Sequence, residues 1–392
     1  MDDNLITNPH VSFEAYAVVR RRGRPMERIM LRTSEELALM RAAAADRSSA
    51  DVAGQREAAA RLGLLLPPDE VPASKEELAF RCDIGEELLD LVPRMSRDAC
   101  PVLDAQDLEP NPHLYVQDGP EPPVSIAARV APAARVTMGA AGFAPEWPVV
   151  WAEYGPWGTL MPFWSGGTWG RDLRRVAVDR VPLSELPADA LRALHLAGIL
   201  RPRARQSAAH APAEVVARDA GVLRGLFSPL FTAGMRAYYR RMRAEGYFRQ
   251  DRQQVPEGHE GTYCDAVTLF VQKQLSGVVA RWTGGPVKPS HAWAMTYLPG
   301  AVLDRHRDRP QSRWNVSFCL DADPDHGGTA HGIWPFWIEG RDRDHEVDLG
   351  IGDAVIHSGI DQDHWREALP EGRLVTMGLL HYVDADFSGV PA

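Results

Sequence analysis

Apolar positions along this chain follow two rhythms, and the change between them falls near Pro286. Ahead of it, "SEELALMRAAAA" and "SADVAGQREAAARLG" place apolar residues at helical spacing behind serine caps. Residues 1 to about 110 are therefore expected to be mainly helical, with "LLLPPDEVP" stopping the second helix. The stretch 109–135 is dense in proline and reads as a connection. Helical spacing returns over 214–285, in "LFSPLFTAGMRAYYRRMRAEGYF" and "CDAVTLFVQKQLSGVVARWTG". Beyond Pro286 the apolar segments become short and are separated by Gly, Pro and Asp. They are "HAWAMTYL", "AVLDRHRD", "RWNVSFCL", "IWPFWIEG", "HEVDLG", "DAVIHSG", "DHWREAL" and "RLVTMGLLHYV". That spacing predicts eight short strands in a β-sandwich or barrel, and an α+β fold class for the whole.

Two further patterns bear on organisation. The run "PEWPVVWAEYGPWGTLMPFWSGGTWG" is rich in Trp; buried short strands are the reading preferred here over a stacking platform for substrate. "AAARLGLLLPP" and "LRALHLAGILRP" both end a helix in Gly, three or so apolar residues and Pro, an order also found in winged-helix modules. "RARQSAAHAPAEV" then reads as a linker. The expected division is an accessory or substrate-recognition region over 1–205, with a break near 109–135. A catalytic domain over 206–392 would have helical support at 214–285 and a β core at 290–385.

Composition narrows the function classes. With 392 residues the chain is long enough for two or three domains. A formal charge of −10 disfavours general affinity for nucleic acid or anionic membrane. No stretch reaches the twenty or so apolar residues of a membrane span, and "MDDNLITNPH" has no apolar core of a signal peptide. Cys82, Cys100, Cys264 and Cys319 show no C-x-x-C spacing. Reduced thiols and a cytoplasmic location are the expectation.

The candidate chemistry lies among the strands. His306-Arg307-Asp308 is not a kinase catalytic loop, which needs Asn five residues after the Asp; position 313 is Arg. On an extended strand, residues two apart share a side, so His306 and Asp308 can offer an imidazole and a carboxylate to one metal ion. A facial triad needs one more His. His364 is preferred, with His357 and His381 as rivals: His357 reads as a core residue and His381 as packing. Nine residues beyond His364, Arg373 could hold the far carboxylate of a dicarboxylic co-substrate in a bidentate pair. The polar side of "RWNVSFCL" (Arg313, Asn315, Ser317, Cys319) is expected to line the cavity. His326 and His331 are expected on a bordering loop.

Together these motifs resemble the Fe(II)- and 2-oxoglutarate-dependent dioxygenases, especially the prolyl-hydroxylase-like branch. The matching residues are Tyr297-Leu298-Pro299-Gly300, His306-Arg307-Asp308, Leu320-Asp321, "FWIEG", Gly352-Asp353, His364 and Arg373. The resemblance covers residues 293–385, about a quarter of the chain. It implies a double-stranded β-helix (jelly roll), iron on His306, Asp308 and His364, and 2-oxoglutarate on Arg373. Cys319 stands where that branch often has a Tyr, which leaves Tyr297 and Asn315 as candidate second partners of the carboxylate. "ADPDHGGTAHGIWPFW" departs from the branch's usual pattern.

The implied activity is hydroxylation of an unactivated C–H bond, consuming O2 and 2-oxoglutarate and releasing succinate and CO2. Asp308, where related halogenases have a small residue, disfavours halogenation. The long region ahead of the core suggests a peptide or protein substrate, such as a natural-product precursor peptide. A small or carrier-bound metabolite is the alternative, and a ligand-sensing regulator without enzymatic activity the second one.

Overall fold

The computed structural model describes residues 15–45, 55–74, 77–78, 80–84, 104–118, 122–130, 148–155, 157–164, 169–203, 214–217, 220–250, 258–324 and 334–389. Most of the expected linker, Cys100, His326 and His331 lie outside these residues. The chain divides into two compact units, one of residues 1–73 with 242–250, the other of 74–241 with 251–392.

The smaller unit opens on a hairpin, not on the expected helices. Strands β1 (Tyr16–Arg21) and β2 (Arg24–Met30) pair antiparallel around Arg22-Gly23, where Gly23 has φ +74. A left-handed residue is what a tight hairpin turn requires. Helices Ser34–Ala45 and Arg56–Arg61 follow, and Ala17, Val19, Leu39, Ala59 and Leu62 form a shared core. After the second helix, Leu64–Leu66 form no strand and lead to a 3-10 turn at Pro68–Glu70. The helix-to-strand order expected of both sequence echoes is thus missing from the first.

The larger unit carries the rest. β3 (Leu108–Pro110) pairs with β7 (Leu200–Pro202), which follows the helix Ala188–Leu196. β4 (Leu114–Asp118), β5 (Pro148–Tyr154) and β6 (Thr159–Trp164) form a three-stranded sheet. Trp151 and Trp164 are fully buried there and meet Phe270 and Phe80 edge-on. Of the described residues in the Trp-rich run, Trp151, Trp164 and Trp169 are buried, as expected of short buried strands, and Trp157 is half-buried.

Beyond residue 213 two antiparallel sheets build up. β8 (Glu214–Ala217), β9 (Ala220–Leu223), β10 (His259–Tyr263), β11 (Val287–Tyr297), β13 (Trp314–Asp323), β16 (Ala354–Ser358) and β18 (Leu374–Asp384) make the large one. Its order is β10-β11-β18-β13-β16-β9-β8. β12 (Leu303–His306), β14 (Phe336–Ile338), β15 (His345–Val347) and β17 (His364–Arg366) make the small one, in the order β12-β17-β14-β15. Each of the eight segments after Pro286 yields one strand. Residues 214–217 and 220–223, expected as helix, instead extend the large sheet past β16. Helices Pro229–Ala244 and Ala266–Thr283 form as expected; Asp265 caps the second by accepting from the backbone N–H of Val267 and Thr268.

One core joins the two sheets. Met295, Cys319, Val355 and Met377 of the large sheet meet Phe336, Ile338 and Val347 of the small one. Burying side chains of this size contributes about 1.5–3 kcal/mol each. Alternation along β13 sends Val316, Phe318 and Leu320 to the opposite face, where Phe318 lies 4.7 Å from Phe227. At the bulge after Cys319, Asp321 is buried between the guanidinium groups of Arg236 and Arg240, which fixes the helix to β13.

Candidate metal centre

β12 and β17 run antiparallel with His306 and His364 as register partners. Period-two alternation turns His306 and Asp308 inward and Arg305 and Arg307 outward. Outside, Arg305 reaches Asp363 and Asp344 (3.0 Å each), and Arg307 reaches Asp363 (2.7 Å) and Glu339 (2.9 Å). Arg305 also lies 4.3 Å over the Trp365 ring. Single exposed pairs of this kind contribute little, but a network sharing two carboxylates ties one ribbon to the other.

Inside, His306 Nε2 is 3.5 Å from Asp308 Oδ1 and His364 Nε2 is 3.7 Å from Asp308 Oδ2. The three donor atoms lie within 4.8 Å of one another. Each Nδ1 faces a backbone carbonyl, that of Asp304 for His306 (2.7 Å) and that of Gln362 for His364 (3.1 Å). An Nδ1–H donating to a carbonyl leaves the Nε2 lone pair for a metal. Two imidazoles and one carboxylate, open on the remaining side, suit a divalent first-row metal such as iron.

The charges agree with that assignment. Burial would raise the Asp308 pKa, but the hydrogen bond from His306 and the charge of His364 hold it well below the usual carboxylate range. Burial pulls His306 down, yet Asp308 and the Asp304 carbonyl outweigh it and leave the pKa raised. His364 is lowered, chiefly by burial. Asp308 and His364 thus stand in the forms that ligate, a deprotonated carboxylate and a neutral imidazole, whereas His306 must give up a proton to the solvent when a metal binds.

The turn after β16 presses on this group. Asp308 N–H donates to Gly359 O (2.8 Å). A Cβ on Gly359 would stand 2.3 Å from Ser312 O and 2.6 Å from Asp308 Oδ2, so only glycine fits. Gly359→Ala is expected to destabilise the fold by about 1–3 kcal/mol through overpacking. It should also weaken divalent-metal binding at least ~10-fold by displacing Asp308. Thermal melts and nickel titration of the variant check this; unchanged nickel affinity would count against the contact.

The triad borders a cavity of about 260 Å³ whose wall includes Trp293, Tyr297, Phe336, His357, Arg366 and His381. Arg366 follows His364 by two residues on β17 and therefore points the same way. It is only 5% exposed. Its Nη1 donates to Trp334 O, and its guanidinium lies 4.7 Å over the Trp334 ring and 4.9 Å over the Phe336 ring. Among the described residues no carboxylate pairs with it. Burial brings its pKa down to about 10, against Tyr297 and Cys319, so it stays cationic at neutral pH.

The other expected site residues are distributed unevenly. Tyr297 lines the cavity, its hydroxyl pushed up to about 12 by burial. Asn315 lines it too, but its side chain is bonded to Asp308 and His381. His357 is buried with its ring 4.6 Å from that of His364, but it is not part of the donor group. Arg373 departs from expectation: it closes the turn ahead of β18, with its N–H 3.3 Å from Pro370 O, and is not in the cavity wall. The cavity's buried guanidinium is that of Arg366, which the spacing from His364 to Arg373 passed over. The signal available for it was strand parity, since "HWR" puts His and Arg on one side.

No family model matches the chain, and no curated protein matches it by sequence. Solved structures align with under half of it. A Pseudomonas putida prolyl-4-hydroxylase is 14% identical, covering 43% of this chain and 94% of its own, at a TM-score of 0.35. AviO1 from Streptomyces viridochromogenes is 17% identical over 45% of this chain and 94% of its own, at 0.35. HygX from Streptomyces hygroscopicus, solved with nickel and 2-oxoglutarate bound, is 11% identical over 43% and 84%, at 0.34.

Proposed function

We propose that this chain is an Fe(II)- and 2-oxoglutarate-dependent oxygenase whose two C-terminal sheets form a double-stranded β-helix. The observation that carries this reading is the buried guanidinium of Arg366, which meets no carboxylate among the described residues, beside a His-Asp-His donor group. A buried charge without a counterion is costly, and a dicarboxylate that also chelates the metal removes that cost. 2-Oxoglutarate has this shape, with a keto-acid end for the metal and a carboxylate at the other end.

When bound, iron supplies the oxidising chemistry, in which O2 and 2-oxoglutarate are consumed and succinate and CO2 released. The chain supplies position. His306, Asp308 and His364 hold the ion, and Arg366 takes the distal carboxylate in a bidentate pair. Trp334 and Phe336 sandwich that guanidinium and keep water from it. Tyr297, buried beside Trp334 (ring centroids 4.8 Å apart), closes the same end. Arg373, outside the cavity wall, has no part in this reading, and Asn315 serves Asp308 and not the co-substrate.

The substrate in this reading is an amino-acid residue of a peptide or protein, hydroxylated at an unactivated C–H bond. The cavity of about 260 Å³ has room for one side chain beside the co-substrate, and because it opens to solvent the rest of a peptide can lie outside it. The test is chemical. Protein stripped with EDTA is expected to convert no 2-oxoglutarate to succinate, and added Fe(II) under air should restore slow conversion even without substrate. Failure of Fe(II) to restore any turnover or 2-oxoglutarate binding would sink the assignment.

A further inference from the structure

His381 lies near the far end of β18, on the cavity side, and the triad does not use it. Its Nδ1 is 2.7 Å from Asn315 Oδ1, and Asn315 Nδ2 donates to Asp308 Oδ2. The direction of this chain follows from chemistry. An ionised Asp308 only accepts, so Asn315 must turn its NH2 toward it and its carbonyl toward His381. His381 must then carry its proton on Nδ1. The opposite amide orientation would set oxygen against oxygen.

The surroundings hold His381 in place. Its ring stacks on that of His291 at 4.1 Å and 15°, and His291 Nδ1 lies 3.2 Å from Ser290 Oγ. Gln272 donates from its single amide nitrogen to the carbonyls of both His291 (2.9 Å) and His381 (2.7 Å), joining β11 and β18 at that level. Asn315 sits between register partners His357 and His381, in the middle of the large sheet. A flat, pinned imidazole thus steers a carboxamide, and the carboxamide occupies one of the two oxygens of Asp308.

We propose that His381 is a positioning residue for the metal centre, acting through Asn315 to hold Asp308 Oδ2 and leave Oδ1 to the ion. It rests on the iron-site reading above. Removing an outer partner of a metal ligand costs about 10- to 100-fold in metal affinity. A residue that merely packs would leave affinity alone and change the melting temperature.

The test uses the full chain, anaerobic and metal-free, titrated with Co(II) and followed by its visible ligand-field absorption. Wild type, His381→Leu, His381→Asn, Asn315→Leu and Asp308→Ala are compared, with a thermal melt of each apo-protein. His381→Leu is expected to weaken Co(II) about 10-fold, and Asn315→Leu at least as much. His381→Asn restores an N–H at the δ position and should recover most of the affinity. Equal Co(II) affinity in wild type and His381→Leu, or no recovery in His381→Asn, overturns the proposal while leaving the iron site standing. Absence of any Co(II) spectrum in wild type overturns the site itself and the proposal with it.

Discussion

Replacing Arg366 by methionine is expected to abolish productive 2-oxoglutarate binding while leaving the empty protein as stable as before, or more so. The two halves of this result have one cause. In the absence of a ligand the guanidinium is buried with a single backbone acceptor and two aromatic rings for company. A methionine of similar length removes the uncompensated charge, and such replacements are often neutral or stabilising. In the presence of 2-oxoglutarate the same change leaves a carboxylate buried without its partner. Losses of that kind run to about 2–5 kcal/mol, or roughly 30-fold to several thousand-fold in affinity. Arg373→Met is the control and should alter 2-oxoglutarate affinity by less than about threefold, in line with its place outside the cavity wall. Calorimetric titration of Fe(II)-loaded protein, with apo melting curves, decides the matter. If Arg373→Met is the damaging change and Arg366→Met is silent, the anion site has been placed on the wrong strand.

His364→Ala is expected to eliminate the visible metal-to-ligand charge-transfer band that Fe(II) and 2-oxoglutarate should produce anaerobically, together with all turnover. His357→Ala should retain the band. The two rings stand 4.6 Å apart, so proximity does not separate them. Their bonding does: His364 donates from Nδ1 to the Gln362 carbonyl and points Nε2 at Asp308. His357 is fully buried, and desolvation holds its pKa well below the ordinary value. Truncating it opens a cavity costing about 1–3 kcal/mol of stability, within the common range for core changes, yet leaves the three donors in place. Loss of the band in His357→Ala alone would move the third ligand to β16.

The comparison of sequence and structure has a physical pattern. The eight strands after Pro286 were legible because turn residues (Gly, Pro, Asp) cut the apolar sequence into pieces of strand length. The alternation in "RWNVSFCL" identified part of the cavity face: Asn315 and Ser317 line it, while Arg313 pairs with Asp384 and Cys319 lies in the core. Residues 214–217 and 220–223 were not legible. Their strand state depends on pairing with β16 more than 130 residues later, and β-propensity is set by such neighbours. The hairpin at 16–30 was not legible either; its turn rests on the single left-handed residue Gly23. The triad was legible because two ligands share one strand. Arg366 did not stand out because the reading counted nine residues from His364 and did not follow side-chain parity along β17, where Arg366 lies two residues on and lines the cavity.

The outward clamp of Arg305 and Arg307 on Asp363 and Glu339 has a geometric corollary. His306 and His364 hang from paired positions of one ribbon, and Arg366 follows on the same strand. The spacing of the His364 and Arg366 Cα atoms is then a property of the strand itself, two peptide units or about 6.6–6.8 Å of rise. In the proposed reading the ribbon serves as a ruler for the diacid that spans metal and guanidinium. Its graduation can be altered only in whole steps: one inserted residue between His364 and Arg366 turns one of them out of the cavity, and two inserted residues double the span.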